Sequence, residues 1–179
     1  MCIRDRIQAP DIRDRIVVVW TSGYPSHAPL VNHSFNLEQD LFASQHLFDC
    51  GVPLVYLPGY HVGAQLRLSL LEMEHHVRGH SAIGDHLHDL FTHNPLWPML
   101  GWPATIDRER PYSWVIWDII CVAWLIQPAW VPSHIVQTPR LSDDRRWLVD
   151  AGRPPMREAY GVQRDEVFGD LFEALRKAP

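Results

Sequence analysis

The stretch from Val115 to Ile126 is apolar at every position except Asp118, and Pro128 follows it closely. It is shorter than the roughly 20 apolar residues that a bilayer-spanning helix needs. A proline just beyond an apolar run is a typical helix stop. Because a helix that is apolar on all sides is normally buried, the pattern predicts an interior helix with a carboxylate near its N-terminus. Asp118 then either sits at the cap or first turn, where the macrodipole favours it, or binds a metal ion.

The size and composition of the chain are those of an ordinary globular domain. Its 179 residues are 46% hydrophobic and 21% charged, which is enough for one domain with a real core. The net charge of -5 and the lack of a basic cluster argue against a nucleic-acid partner. The N-terminal residues have no apolar signal region, and the three cysteines form no C-x-x-C pair. We therefore expect a cytoplasmic protein with reduced thiols and no membrane partner.

A strand–loop–helix–strand unit comes early in the chain. Ile16 to Trp20 is a β-branched run typical of a strand buried on both faces, and Val52 to Leu57 is a second buried strand. Between them, Asn36 with Gln39 forms a capping-box pattern for a helix that runs to Asp49 and ends at Gly51. The order predicts an α/β fold with a largely parallel sheet and flanking helices. The loop after the first strand leaves the end of the sheet where ligands bind in such folds.

The rest of the chain continues the α/β pattern. Tryptophans and prolines concentrate between Pro95 and Pro132, where we expect aromatic packing around irregular loops, beside a pocket. Within this stretch, residues 94–110 form a Pro- and Trp-rich loop that is longer than usual, which is typical of a functional loop. The remaining predicted helices are Ala64 to Arg78, Ala82 to Thr92 and Asp165 to Lys177, and the remaining predicted strands are Ser133 to Thr138, Arg146 to Val149 and Met156 to Gly161.

Histidines are the most visible polar feature of one region. His76 and His80 have the i,i+4 spacing of a zinc-binding helix, but no H-E-x-x-H motif is present and Gly79 should break the helix. Solvated faces of two surface helices explain the histidines more simply, and a zinc-dependent hydrolase remains the weaker alternative. The histidines concerned are His75, His76, His80, His86, His88 and His93.

Two segments resemble the nucleoside hydrolases, the inosine–uridine-preferring N-ribohydrolases. Ser34-Phe35-Asn36-Leu-Glu-Gln-Asp40 resembles their Glu-Phe-Asn…Asp signature. Trp117-Asp118-Ile-Ile-Cys-Val-Ala-Trp-Leu-Ile-Gln-Pro128 resembles their His-Asp-Pro-x-x-Val-Ala-Tyr-x-x-x-Pro segment. The intervening Gly51-Val-Pro-Leu-Val fits as well, and the similarity extends over essentially the whole chain. The resemblance implies a nucleoside-hydrolase-like fold and the hydrolysis of ribonucleosides to ribose and free base.

The resemblance also assigns roles to particular residues. Asn36 matches an asparagine that hydrogen-bonds the ribose, and Asp118 matches an aspartate that helps to bind a catalytic calcium ion. Ser34 falls where the family has a ribose-binding glutamate, so a sugar contact there is weakened or lost. Trp117 falls where many members have a histidine associated with protonating the leaving base. Tryptophan can stack but cannot act as that acid, so the preference for purine or pyrimidine is open.

The metal-binding part of the family pattern has no counterpart in this sequence. Calcium takes six to eight oxygen ligands, and the family's Asp-x-Asp-x-x-x-Asp-Asp motif supplies most of them. Asp11 and Asp14 have the wrong spacing and precede the first strand. We therefore expect residues 1–9 to be non-native or disordered and residues 10–179 to be the C-terminal portion of a nucleoside-hydrolase-like domain, incomplete at the N-terminus and inactive alone.

Two readings of the function follow. The first is an N-glycosidase that uses calcium, has a small-molecule ribonucleoside as its partner, and serves purine and pyrimidine salvage. The second is a non-catalytic riboside-binding or structural fragment that pairs with another chain through an exposed sheet edge. Whether the chain forms a homo-oligomer is left open.

Overall fold

The structure is a computed structural model and describes residues 10–178. These residues form two compact units. The first consists of residues 10–65 with Trp117–Val162, and the second consists of Leu66–Ile116 with residues 163–178. The expectation for residues 1–9 lies outside the described part of the chain.

A four-stranded, mostly parallel sheet forms the centre of the first unit. Its strands are β1 (Val18–Ser22), β2 (Leu54–Pro58), β5 (Ser133–Gln137) and β8 (Pro155–Ala159). The strand order is β1-β2-β8-β5, in which β1 is parallel to β2, β2 is parallel to β8, and β5 is antiparallel to β8. The α/β prediction with a largely parallel sheet is therefore confirmed. A separate two-stranded antiparallel ladder pairs β6 (Arg140–Leu141) with β7 (Trp147–Leu148).

The first strand is not buried on both faces as predicted. It begins two residues later, at Val18, and pairs only with β2 among the described strands, so it is an edge strand. Only Thr21 and Ser22, at its C-terminal end, are buried, whereas every residue of β2 is buried. A β-branched run indicates a strand, but the number of its neighbours is set by the rest of the sheet.

The predicted helix from Asn36 to Asp49 is split into α1 (Phe35–Glu38) and α2 (Leu41–Asp49). The division occurs because Asp40 caps the second helix, where its carboxylate accepts a hydrogen bond from the Ala43 amide at 2.8 Å. The N-cap of α1 is Ser34 rather than Asn36, and its side chain makes no capping bond. Gly51 does follow α2 with φ +71°, as its predicted role as a helix stop requires.

The apolar run around Asp118 behaves differently from the prediction. Ser113–Val115 is strand β4, and the helix α5 spans only Ile119–Ile126. Ile120 and Ala123 are buried, but Leu125 is 65% exposed, and Asp118 itself is exposed. The helix packs one face against β1, and no described element covers its opposite face. The predicted interior carboxylate is therefore wrong. Asp118 occupies the N-cap position without a side-chain capping bond.

The second unit contains a short antiparallel ladder and three helices. Where we predicted one helix from Ala64 to Arg78, a 3-10 turn and strand β3 precede a shorter helix. That helix begins after Ser69 because Ser69 and Glu72 form a capping box. The elements of this unit are β3 (Arg67–Ser69), β4 (Ser113–Val115), α3 (Leu70–His76), α4 (Ala82–Thr92), which matches its prediction, and α6 (Arg164–Lys177). Among residues 10–178, no helix has the length and apolar character needed to cross a membrane.

Candidate functional site

A cavity of about 270 Å³ opens at the C-terminal ends of the two parallel strands β1 and β2, within the first unit. It receives residues from four short segments of the chain. Its lining includes all four residues that the sequence analysis selected, from segments some eighty positions apart along the chain. The lining residues are Thr21, Ser22, Gly23, Ser34, Phe35, Asn36, Gly59, Tyr60, Trp117 and Asp118.

Hydrogen bonds of a buried side chain hold in place the loop that follows β1 and leads to α1. Asn32 is fully buried, and its side-chain oxygen accepts a hydrogen bond from the Tyr24 amide at 2.7 Å. Its side-chain nitrogen donates to the Arg145 carbonyl at 3.0 Å. Gly23 has φ +51°, and a Cβ at this position would lie 2.5 Å from Asn32 Oδ1. Glycine is therefore required both by backbone conformation and by the approach of Asn32.

Two polar side chains on the α1 side of the cavity are held by the end of β1. The Ser34 hydroxyl is hydrogen-bonded to the Ser22 hydroxyl at 2.8 Å. The Asn36 side-chain nitrogen donates to the Thr21 carbonyl at 3.1 Å. The amide oxygen of Asn36 has no hydrogen-bond partner among the described residues, so it is available to accept a bond from a ligand hydroxyl.

Aromatic side chains form the apolar part of the cavity. The Trp117 and Tyr60 rings meet edge to face, with centroids 6.1 Å apart and planes at 90°. The Tyr60 hydroxyl donates to the His33 carbonyl at 2.6 Å, and burial, followed by the neighbouring Tyr24, raises the pKa of Tyr60. Tyr60 is therefore neutral at physiological pH. Such rings offer faces on which a planar base can stack.

Within the part of the chain that the structure describes, Asp118 is the one carboxylate that lines this cavity. Nearby, Cys121 is partly buried on α5, and burial together with the charge of Asp118 raises the pKa of its thiol to about 11. The thiol is therefore protonated near neutral pH and is a weak nucleophile. Among the described residues that line the cavity, Asp118 is the one that carries a negative charge.

Asp118 and the described residues around it provide too few oxygen ligands for a calcium ion. Calcium needs six to eight oxygen ligands, several of them from carboxylates. Within residues 10–178, no group of three or more His, Cys, Asp or Glu side chains could hold a metal ion. Asp14 lies in a 3-10 turn before β1 and is exposed. Any further ligands would have to come from outside the described residues of this cavity.

The histidine-rich region of the second unit does not gather into a zinc site. Helix α3 ends at His76, whose ring stacks on Phe172 at 4.6 Å, and His80 follows Gly79, which has φ +76°. The two histidines are therefore not on one helix. The expectation of solvated faces fails for His88, which is only 7% exposed and whose pKa is lowered by burial and by nearby Arg78.

Sequence reasoning missed the contribution of Thr21, Ser22 and Tyr60 to the cavity. The signal was present, because Pro58-Gly59 breaks the second buried strand immediately before Tyr60. The carboxyl ends of neighbouring parallel strands lie at the same edge of a sheet. The residues after both strands were therefore candidates for the same site.

No protein-family model matches the chain, and no curated protein matches it. Solved structures that are similar to it include two nucleoside hydrolases. An inosine-uridine preferring nucleoside hydrolase from Bacillus anthracis has a TM-score of 0.69 at 17% identity, covering 97% of this chain and 56% of that one. A plant nucleoside hydrolase has a TM-score of 0.65 at 18% identity, covering 89% of this chain and 51% of that one. The chain thus spans about half the length of these structures. Over that span, it has a nucleoside-hydrolase-like fold.

Proposed function

We propose that this chain carries the riboside-binding part of an N-glycosidase that hydrolyses ribonucleosides to ribose and free base. One observation carries the proposal. Asn36 and Ser34 from one segment, and Trp117 and Asp118 from another, line a single cavity at the C-terminal ends of two parallel strands. This is the position at which α/β folds bind ligands.

Each of these side chains has a chemical task in the proposal. The free amide oxygen of Asn36 accepts a hydrogen bond from a ribose hydroxyl, and the Ser34 hydroxyl offers a second polar contact. The Trp117 ring stacks on the base, and the Tyr60 ring, whose plane is at 90° to it, packs against Trp117. Cleavage of the bond between ribose and base passes through an oxocarbenium-like state, and the carboxylate of Asp118 stabilises the positive charge that develops on the sugar.

With Asp118 assigned to the charge on the sugar, hydrolysis needs two further functions that the described residues of this cavity do not supply. A base must activate water, and an acid must protonate the leaving group, which the indole of Trp117 cannot do. We therefore propose turnover for the whole protein rather than for this chain alone. Calcium binding is likewise proposed for the whole protein, because most of the calcium ligands would lie outside the described residues.

Nucleoside binding by the chain is the first test. We expect inosine and uridine to shift NMR signals of residues around the cavity, and Asn36→Ala to weaken binding about tenfold, because it removes a hydrogen bond to the sugar. Asp150→Asn, an exposed substitution outside the cavity, is the matched control. If neither nucleoside binds, the proposal is wrong.

Turnover is tested separately by ribose release from the whole protein, with calcium added and with a chelator. Asp118→Ala should abolish both turnover and calcium affinity. Unchanged turnover in that variant would overturn the N-glycosidase assignment.

A non-catalytic riboside-binding module is the second candidate. It is favoured by the observation that Asp118 is the one carboxylate among the described residues that line the cavity. Nucleoside binding that is unaffected by calcium, together with no ribose release by the whole protein, would support this candidate over the enzyme.

A further inference from the structure

A group of four aromatic side chains in the second unit lines another cavity, of about 250 Å³. We call this group the aromatic cage, and it consists of Trp97, Trp102, Tyr112 and Trp114. The Trp102 and Trp114 rings meet at an interplanar angle of 69° with centroids 5.3 Å apart. The centroid of the Trp97 ring lies 5.9 Å from that of Trp114 and 6.4 Å from that of Tyr112. The rings therefore form inclined walls rather than one flat stack.

The backbone holds these rings in place. Trp97 begins a 3-10 turn that ends at Gly101, which has φ +79°, and the Trp102 amide donates to the Trp97 carbonyl at 3.0 Å. Trp114 lies on β4, which pairs with β3. This arrangement lies in and just after the Pro- and Trp-rich loop for which the sequence predicted aromatic packing beside a pocket.

The other residues around the cavity determine what it can bind. Among the described lining residues, Pro103 and Ile106 have aliphatic side chains, Thr105 has a hydroxyl, and Asp107 brings a carboxylate. Asp107 pairs with Arg110 at 3.2 Å, but both side chains are largely exposed, so this ion pair is weak. The Tyr112 hydroxyl oxygen is buried and has no hydrogen-bond partner within residues 10–178.

We propose that the aromatic cage binds a small quaternary ammonium compound of the size of choline. The faces of aromatic rings carry partial negative charge and attract cations, and cages of this kind are suited to methylated ammonium groups. The Asp107 carboxylate adds a favourable charge at the rim. The proposal does not depend on nucleoside binding, because the two cavities share no lining residue.

The main alternative is that the cavity is simply apolar. An aliphatic lining would favour that reading, and the neighbouring cavity in this unit has one, with Leu68, Leu87 and Leu90 among its residues. Trp97 and Trp114 line that cavity as well, but at the aromatic cage they are joined by two further rings and a carboxylate. An apolar site should prefer a neutral ligand, whereas the cage should prefer a cation of the same shape.

The test compares choline with its neutral carbon analogue, in which a carbon atom replaces the charged nitrogen, by NMR titration of the chain. We expect choline to bind at least about tenfold more tightly. Trp102→Ala should weaken choline binding about tenfold, and Trp102→Phe should weaken it less, because phenylalanine keeps an aromatic face. Trp102 is 46% exposed, so these variants should fold, and thermal melting checks this.

Trp130→Ala is the matched control, since Trp130 does not line the cavity, and its choline affinity should equal that of the parent. Equal affinity for choline and its neutral analogue would overturn the proposal, as would the absence of choline binding. Choline binding that survives Trp102→Ala undiminished would also overturn it.

Discussion

Both carboxylate oxygens of Glu158 accept hydrogen bonds from Ser26, one from the backbone amide at 2.6 Å and one from the hydroxyl at 2.5 Å. Glu158 lies in the middle of the sheet on β8 and is only 2% exposed. Its two bonds reach the loop between β1 and α1. A polar group this deeply buried must be hydrogen-bonded to be tolerated. The contact therefore ties the loop that leads to the candidate site to the centre of the sheet.

Removing this carboxylate should destabilise the protein. We expect Glu158→Ala to lower the free energy of unfolding by about 3 kcal/mol, because it leaves the two partly buried Ser26 donors without acceptors and opens a space in the middle of the sheet. Ser26→Ala, which removes only the hydroxyl, should cost about 1 kcal/mol. Urea denaturation measures both, and the exposed Glu109→Ala serves as control. A loss in Glu158→Ala no larger than in Glu109→Ala would contradict the role assigned to Glu158.

Gly23 and Gly79 both have positive φ, but only Gly23 is crowded. Nothing lies within 4 Å of a Cβ built on Gly79, whereas one on Gly23 meets Asn32 Oδ1 at 2.5 Å. We expect Gly79→Ala to cost about 1 kcal/mol from backbone strain alone. Gly23→Ala should cost at least about 2 kcal/mol, since Asn32 must also move. Thermal or urea unfolding compares the two, and equal losses would mean that the Asn32 contact is unimportant.

The capping box of α3 should make stability depend on pH. Burial pushes the pKa of Glu72 up, but hydrogen bonds from Ser69 and the ion pair with Arg164 outweigh it, so the pKa is below its ordinary value of 4.5. A lowered pKa means that the unfolded state binds the proton more readily. The stabilisation by Glu72 is therefore complete above pH 4.5 and is lost as the pH falls through the folded-state pKa.

The variant Glu72→Gln isolates this effect. At neutral pH, it should be less stable than the parent, and the difference should shrink as the pH is lowered well below 4.5. Urea unfolding over that pH range measures the difference. A gap that stays constant would show that the ionised carboxylate contributes nothing.

Truncation of two apolar residues on α5 should change the free energy of unfolding by very different amounts. Ile120 is fully buried, and Ile120→Ala should cost about 3 kcal/mol through lost burial and a cavity. Leu125 is 65% exposed, so Leu125→Ala should change stability by less than about 0.5 kcal/mol. A large loss in the second variant would mean that something covers this face of the helix in solution.

Local pattern was enough for much of the fold. The two early strands and the helical segment between them follow from β-branched runs, a polar helix start and Gly51, and α4 follows from its apolar spacing. Because β1 and β2 are consecutive strands around helices, their parallel pairing and the ligand-binding end of the sheet could also be inferred. The same reasoning brought Asn36 and Asp118 into consideration, with the help of the resemblance in their two segments.

The tertiary structure, in contrast, decided which residues are buried, which strands pair and which distant side chains are in contact. The run around Asp118 is apolar enough to be buried, yet α5 is covered on one face only, and β1 is an edge strand because only β2 pairs with it among the described strands. No local signal linked Glu158 to Ser26 or gathered Trp97, Trp102, Tyr112 and Trp114 around one cavity. The sequence by itself determines local conformation through propensity and spacing. Exposure and long-range contacts depend on which distant segments pack together, and only the folded chain decides that.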